Sequence, residues 1–232
     1  MEALMNNFSG KNVMIYGAGT GLGKSLAAAL GKERANLALI SEKRSDLEDV
    51  EREVGIFRTR VYGYTCDSGS GKDVERTIKT VLGHFDAIDI IIHIPLPFEC
   101  APYTQCTRDA VFNEMQRRIA GPILLMRHFV NDMGAKNSGS IVIAVDDTAV
   151  RGRSAHALAG AASSGMKGFA DALRVEMKTR GASKVHVTTA LIGGSGMNSG
   201  DGAAEKILEA LKSGKTSITY PSGAGLLARF RH

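Results

Sequence analysis

The chain has 232 residues and is 44% hydrophobic, enough to bury one substantial core, so it is read as a single domain over residues 1–232. Its apolar runs fall far short of the roughly 20 residues needed to cross a bilayer, and residues 1–8 lack a charged-then-apolar leader layout, which points to a cytoplasmic protein with no membrane partner. A formal charge of +5 from dispersed Lys and Arg, with only 6% aromatics, argues against nucleic acid; three cysteines (Cys66, Cys100, Cys106) without a C-x-x-C pair argue against a disulfide framework or a metal site.

Short β-rich runs alternate with helical patterns, predicting strands near 12–16, 36–41, 58–64, 88–94, 139–146, 184–190 and 216–220. Seven strands with helical crossovers imply an α/β fold, a doubly wound seven-stranded parallel sheet forming a Rossmann-type three-layer sandwich. The first strand runs into Gly17-Ala18-Gly19-Thr20-Gly21-Leu22-Gly23, which opens an alanine-rich helix. Glycine lets the chain turn sharply and brings backbone N–H groups close to an anion, while the following helix presents its positive end, so the loop predicts a nucleotide ligand. Two patterns overlap in it. Gly17, Gly21 and Gly23 fit a dinucleotide fold, whereas Ala18 to Ser25 approximates the phosphate loop of NTPases with alanine in place of the first glycine. For the second pattern Lys24 and Ser25 would contact phosphate and metal, and the strand Ile141 to Asp147 ends in an acidic pair.

Further along, Ile88 to Ile94 and Ile141 to Val145 are almost wholly apolar, as central strands covered on both faces should be. Glycines 193, 194, 196, 200 and 202 crowd the window after the sixth predicted strand, where a parallel sheet borders its ligand crevice. That window reads either as a flexible lid or as a loose connection.

Taken in order, these segments resemble the short-chain dehydrogenase/reductase family across nearly the whole length. Gly17, Gly21 and Gly23 match its glycine loop, Cys66-Asp67 the aspartate that binds adenine, and Asp89-Ile90-Ile91-Ile92 its fourth strand. Gly121-Pro122-Ile123 and Met133 resemble its long central helix, Gly139-Ser140-Ile141-Val142 its fifth strand, and Gly168 to Glu176 the later part of its sixth helix. The resemblance implies an NAD or NADP cofactor held by Gly17, Gly19, Thr20, Gly21, Leu22, Gly23, Glu42, Cys66, Asp67, His93 and Gly193, an unknown small-molecule substrate, and a homo-dimer or homo-tetramer. At the end of the second strand Glu42 would repel the extra phosphate of NADP and favours NAD, while Lys43 and Arg44 keep NADP open.

The family's chemistry depends on Tyr-x-x-x-Lys on one helix, where the cation lowers the tyrosine pKa for proton transfer. Here the tyrosine position falls at Ala159 and the lysine position at Ser163; the serine ending the fifth strand falls at Asp146 and the central-helix asparagine at Arg118. All four roles are substituted, and a carboxylate beside a carbonyl would repel developing oxyanion charge. His93-Ile94-Pro95-Leu96 replaces the usual Asn-Asn-Ala-Gly, and Ile192-Gly193 the usual Pro-Gly.

Three expectations follow: a dinucleotide-binding protein without ordinary dehydrogenase activity, an oxidoreductase with a non-standard proton donor such as His93, or a phosphate-loop ATPase. Arg118 and Asp146 either form an ion pair in the vacated centre or each turn to solvent or to a different partner. His156 with Lys167 is a poor substitute, since eleven residues span roughly 16 Å of helix.

Overall fold

A computed structural model describes residues 7–98, 101–200 and 202–221. Seven strands, β1 (Asn12–Tyr16), β2 (Asn36–Ser41), β3 (Val61–Thr65), β4 (Ile90–His93), β5 (Gly139–Asp146), β6 (Val185–Ile192) and β7 (Ser217–Tyr220), form one sheet in the order β3-β2-β1-β4-β5-β6-β7, every pair parallel. This is the doubly wound Rossmann-type architecture expected from the alternating pattern.

Successive residues of a strand point to opposite faces, so each central strand feeds two cores. Val13, Ile15, Leu37, Leu39, Ile92 and Val142 face one layer, built on α1 (Gly21–Lys32), α2 (Ser45–Gly55) and α8 (Ala203–Ser213). Met14, Ala38, Ile40, Ile91, Ile141 and Ile143 face the other, built on α3 (Gly71–His84), α5 (Gly121–Lys136) and α6 (Ala157–Thr179). Two further α-helices among the described residues, α4 (Arg108–Met115) and α7 (Gly194–Ser199), follow the carboxyl ends of β4 and β6, and a π-helical segment, Gln116–Ala120, joins α4 to α5. π-Bulges of this kind are frequent at functional sites.

Boundaries shift where local chemistry intervenes. β3 starts at Val61 instead of residue 58 because Arg58, at φ 56°, closes the turn after α2. β4 stops at His93 because Pro95 has no N–H to extend the ladder. The order of strands reverses between β1 and β4, and in such sheets the crevice outside the carboxyl ends at that switch point is where ligands bind. Gly17, His93, Asp146 and Gly193 all lie at those ends.

Candidate functional site

The glycine loop is shaped by its own hydrogen bonds. Gly17, at φ 83°, and Ala18 both donate to Ile40 O, at 2.9 and 3.0 Å; Thr20 Oγ1 donates to Gly17 O (2.8 Å) and accepts from Gly23 N (3.0 Å), capping α1. A methyl group on Gly17 would strike Ile94 O, and one on Gly23 would strike the Gly17 carbonyl, so neither position admits a side chain. Among the described residues, the N–H groups of Gly19, Gly21 and Leu22 are left over at the positive end of the helix. That is the donor set a pyrophosphate needs.

The adenosine end combines expected and unexpected residues. Cys66 is buried, its backbone N–H donates to Ser41 O (2.9 Å), and burial pushes its thiol pKa up. Asp67 accepts from Gly69 N (2.9 Å), which shapes the loop after β3. Glu42 is gripped by Arg117 of the π segment, through Nε–Oε1 at 3.0 Å and a second Nη2–Oε2 contact, and this carboxylate in turn holds the guanidinium pKa above its usual value. The charge expected to repel a phosphate is therefore offset by an arginine 75 residues away in sequence.

At the other end the four substituted positions do converge. Arg118, Asp146, Ala159 and Ser163, with His93 and Tyr16, line a cavity of about 20 Å³, and Asp146 and Ala159 also border a larger pocket of about 430 Å³ with Thr20, Gly21, Phe98 and Met197. Asp146 Oδ1 accepts from Thr148 N (2.8 Å) and from Thr148 Oγ1; Oδ2 accepts from Ser163 Oγ (3.0 Å). The Arg118–Asp146 ion pair does not form. Arg118 instead pairs with Glu114, donates to Leu96 O and Pro97 O at 2.6 Å each, and lies 4.7 Å over the Phe98 ring. Its donors are engaged by Glu114 on α4 and by the carbonyls of the segment after β4.

His93 is 2% exposed and stacks on Tyr16, ring centroids 5.4 Å apart, with Nδ1 buried and unpartnered. Burial pulls its pKa down to about 4, so at pH 7 the ring is neutral and ill suited to donate a proton. It faces the small cavity and not the large pocket. His156 does border the large pocket, but Lys167 is paired with Asp171 at 2.8 Å, so those two residues act apart.

Gly193 donates to Tyr220 O (2.7 Å) and starts α7, which is seated on the loop: Ser25 Oγ donates to Ser199 O (3.2 Å), and a methyl on Gly21 would collide with the Asn198 carbonyl. The glycine window is thus neither loose nor detached, although residue 201 lies outside the described residues. Ser25 is committed to Ser199, and Asp147, with its side chain 3% exposed, is tied to Arg151 and Arg153. The phosphate-loop ATPase expectation finds no support in that arrangement. Cys106 donates to Pro102 O (3.6 Å), Cys100 lies outside the described residues, and among those described no cluster of three metal-ligating side chains occurs. Nor, among them, is any helix long and apolar enough to cross a membrane.

A parallel sheet with a glycine loop at its first crossover and a crevice at its switch point defines a Rossmann-type nucleotide-binding fold. A model of the short chain dehydrogenase family matches residues 11–205, and the chain belongs to that family. It is similar to an uncharacterized oxidoreductase of Thermotoga maritima, 26% identical over 139 residues (59% of this chain, 53% of the relative), and to sorbitol dehydrogenase of Cereibacter sphaeroides, 24% identical over 151 residues (65% and 57%). The chain spans about half to two thirds of the length of the curated relatives it matches. Among solved structures it resembles a metagenomic short-chain oxidoreductase in complex with NADP (TM-score 0.81, 20% identical, 91% of this chain and 97% of that one) and NAD+-bound xylitol dehydrogenase (0.73, 22%, 80% and 71%), likenesses of fold.

Proposed function

We propose that this protein binds a nicotinamide dinucleotide and lacks the carbonyl/alcohol proton transfer usual in its family. One observation carries the reading: the four family positions meet at one cavity, yet Ala159 and Ser163 bring neither phenol nor ammonium to it. Restoring the motif would need both, since a phenol without a neighbouring cation keeps a pKa near 10 and is a poor acid–base group at pH 7.

The amides of Gly19, Gly21 and Leu22 would hold the pyrophosphate, Asp67 the adenine side and Glu42 the ribose, steadied by Arg117. The donor set fits that group: free N–H at a helix start, and glycines where a methyl would fill the cradle. A bound nicotinamide would supply or accept a hydride. NAD and NADP both remain candidates, because Arg117 offsets Glu42. A cytoplasmic homo-oligomer completes the proposal, supported by Leu124 on α5 and Val175 on α6, apolar and exposed.

The test has two stages. Protection against thermal unfolding by NAD or NADP, and not by ATP with magnesium, is the expected result, because a ligand bound only to the native state raises its apparent stability. Turnover of a ketone and alcohol panel followed by NAD(P)H absorbance should then be undetectable. Robust ketone reduction would overturn the reading.

A further inference from the structure

Asp146 sets the chemistry of the large pocket. Its carboxylate accepts three hydrogen bonds, all from neutral groups: Thr148 N, Thr148 Oγ1 and Ser163 Oγ. Among the described residues it has no ion-pair partner. The cations within reach of the pocket are engaged elsewhere: Arg153 and Arg151 on Asp147, Arg118 on Glu114 and the 96–97 carbonyls. His156 turns Nδ1 to Ser154 O (2.7 Å). The pocket around Asp146, about 430 Å³ and open to one side, has a mixed lining: Ile94, Pro95, Leu96, Phe98 and Met197 give it an apolar wall, and Arg153, His156 and Asn198 a polar one. A carboxylate facing an apolar wall attracts a cation that can settle against that wall.

A negative group here opposes reactions that build negative charge on a substrate oxygen and favours those in which the substrate is positive. We propose that the pocket takes a hydrophobic cationic C–N substrate, an amine or its iminium, in place of the carbonyl/alcohol pair, with Asp146 as the counter-ion. This rests on the dinucleotide-binding reading above. The vacated proton-donor position then has a reason. An iminium carbon accepts hydride from a dihydronicotinamide, the C=N π pair becomes the nitrogen lone pair, and a neutral amine and oxidised nicotinamide result. No alkoxide forms, so no tyrosine is needed to protonate it. In the oxidative direction the bound ammonium first gives a proton to water; the neutral amine then loses hydride to the oxidised nicotinamide and its nitrogen lone pair forms the C=N bond, with positive charge returning beside Asp146.

The experiment titrates protein saturated with NAD or NADP with 1,2,3,4-tetrahydroisoquinoline, a cation at pH 7, and with its neutral alcohol analogue 2-tetralol, reading affinity by calorimetry, and then follows NAD(P)H consumption with 3,4-dihydroisoquinoline. The amine should bind more tightly than the alcohol and the imine should be reduced. Asp146→Asn keeps the turn cap but removes the charge, and should weaken amine binding about 10- to 100-fold, the range for a charged hydrogen bond, with alcohol binding unchanged. Ser163→Lys supplies an internal counter-ion and should do the same. Retained stabilisation by the dinucleotide shows that each variant is folded. Equal binding of amine and alcohol, or an Asp146→Asn variant that binds the amine as well as wild type, overturns the proposal and leaves the dinucleotide reading standing. Absence of any dinucleotide binding overturns that reading instead, while amine binding to the cofactor-free protein, lost in Asp146→Asn, would still support the counter-ion.

Discussion

Gly21 and Gly23 sit two residues apart in one loop, yet alanine should act through different neighbours at the two. At Gly23 a methyl would run into the Gly17 carbonyl and the Ala18 backbone, both pinned through Ile40 O and the Thr20 cap, so nothing nearby can yield. Overpacking of this kind costs about 1–3 kcal/mol or more, against up to about 1 kcal/mol gained from alanine's better helix propensity. A net loss of about 1–2 kcal/mol in a domain this size lowers Tm by roughly 2–8 °C. At Gly21 the methyl overlaps the backbone carbonyl of Asn198 in α7, a six-residue helix held to α1 by the Ser25–Ser199 bond, so the loop keeps its shape only if α7 is pushed off its seat. Gly21→Ala should therefore also lower Tm, by roughly 2–8 °C, and in addition expose residues 194–200 to proteolysis. Calorimetric melts and limited proteolysis of both variants check this. A neutral Gly23→Ala, or a Gly21→Ala without faster cleavage, would refute the steric account.

Glu42→Gln frees Arg117 for an incoming phosphate; the ratio of NADP to NAD affinity, read by calorimetry, should rise about tenfold, the size of one charged hydrogen bond. Because that pair is partly exposed, the same variant should lose less than about 1 kcal/mol of stability. His93 has a folded pKa of about 4, below its unfolded value near 6.5, so the unfolded chain binds the extra proton between those pH values. Its contribution, about 3 kcal/mol at most, is present above pH 6.5 and lost as pH falls toward 4; melts from pH 7 to 4.5 should fall less steeply in His93→Phe. Arg174 donates to Val187 O, Thr189 Oγ1, Thr216 O and Asp171, tying α6 to β6 and to the entry of β7; Arg174→Met should lower Tm by roughly 4–12 °C, for about 2–3 kcal/mol of orphaned acceptors.

What was legible in the chain follows the range of the interactions involved. Gly17 to Gly23 needs only its own backbone and the end of β2, and the loop is where the pattern puts it. β1, β2 and β5 match their expected spans because both faces of each are buried, so their apolar runs have no competing signal. The convergence of Asp146, Ala159 and Ser163 was also readable, since spacing of four on α6 puts the last two on one face. Long-range side-chain choices were not. Arg117 reaches Glu42 across 75 positions, and nothing in either local segment distinguishes Arg117 from Arg118 as the one that turns toward β2. Thr148 gives no such signal: Asp146 accepts from its N–H two residues on, an Asx-type turn that a strand-ending acidic pair does not distinguish from a partner for Arg118 or, in a phosphate-loop protein, for a metal.

Two charged residues replacing two neutral ones in a buried centre would be expected to neutralise each other, and the structure shows why they need not. Arg118 finds carbonyl acceptors at Leu96 and Pro97, an acid at Glu114 and an aromatic face at Phe98, so its charge is dispersed over the segment after β4. Asp146 is satisfied as a hydrogen-bond acceptor by neutral donors, which covers its lone pairs but leaves its charge uncompensated. Hydrogen bonding and charge balance are separate requirements. Meeting the first locally lets the site fold without the second, and the unmet half is what a positively charged substrate supplies. Asp146→Asn removes the charge, keeps the bonds from Thr148 on its amide oxygen and turns the Ser163 bond round so that the amide nitrogen donates, and it should consequently cost folding little and change mainly what the pocket prefers to bind.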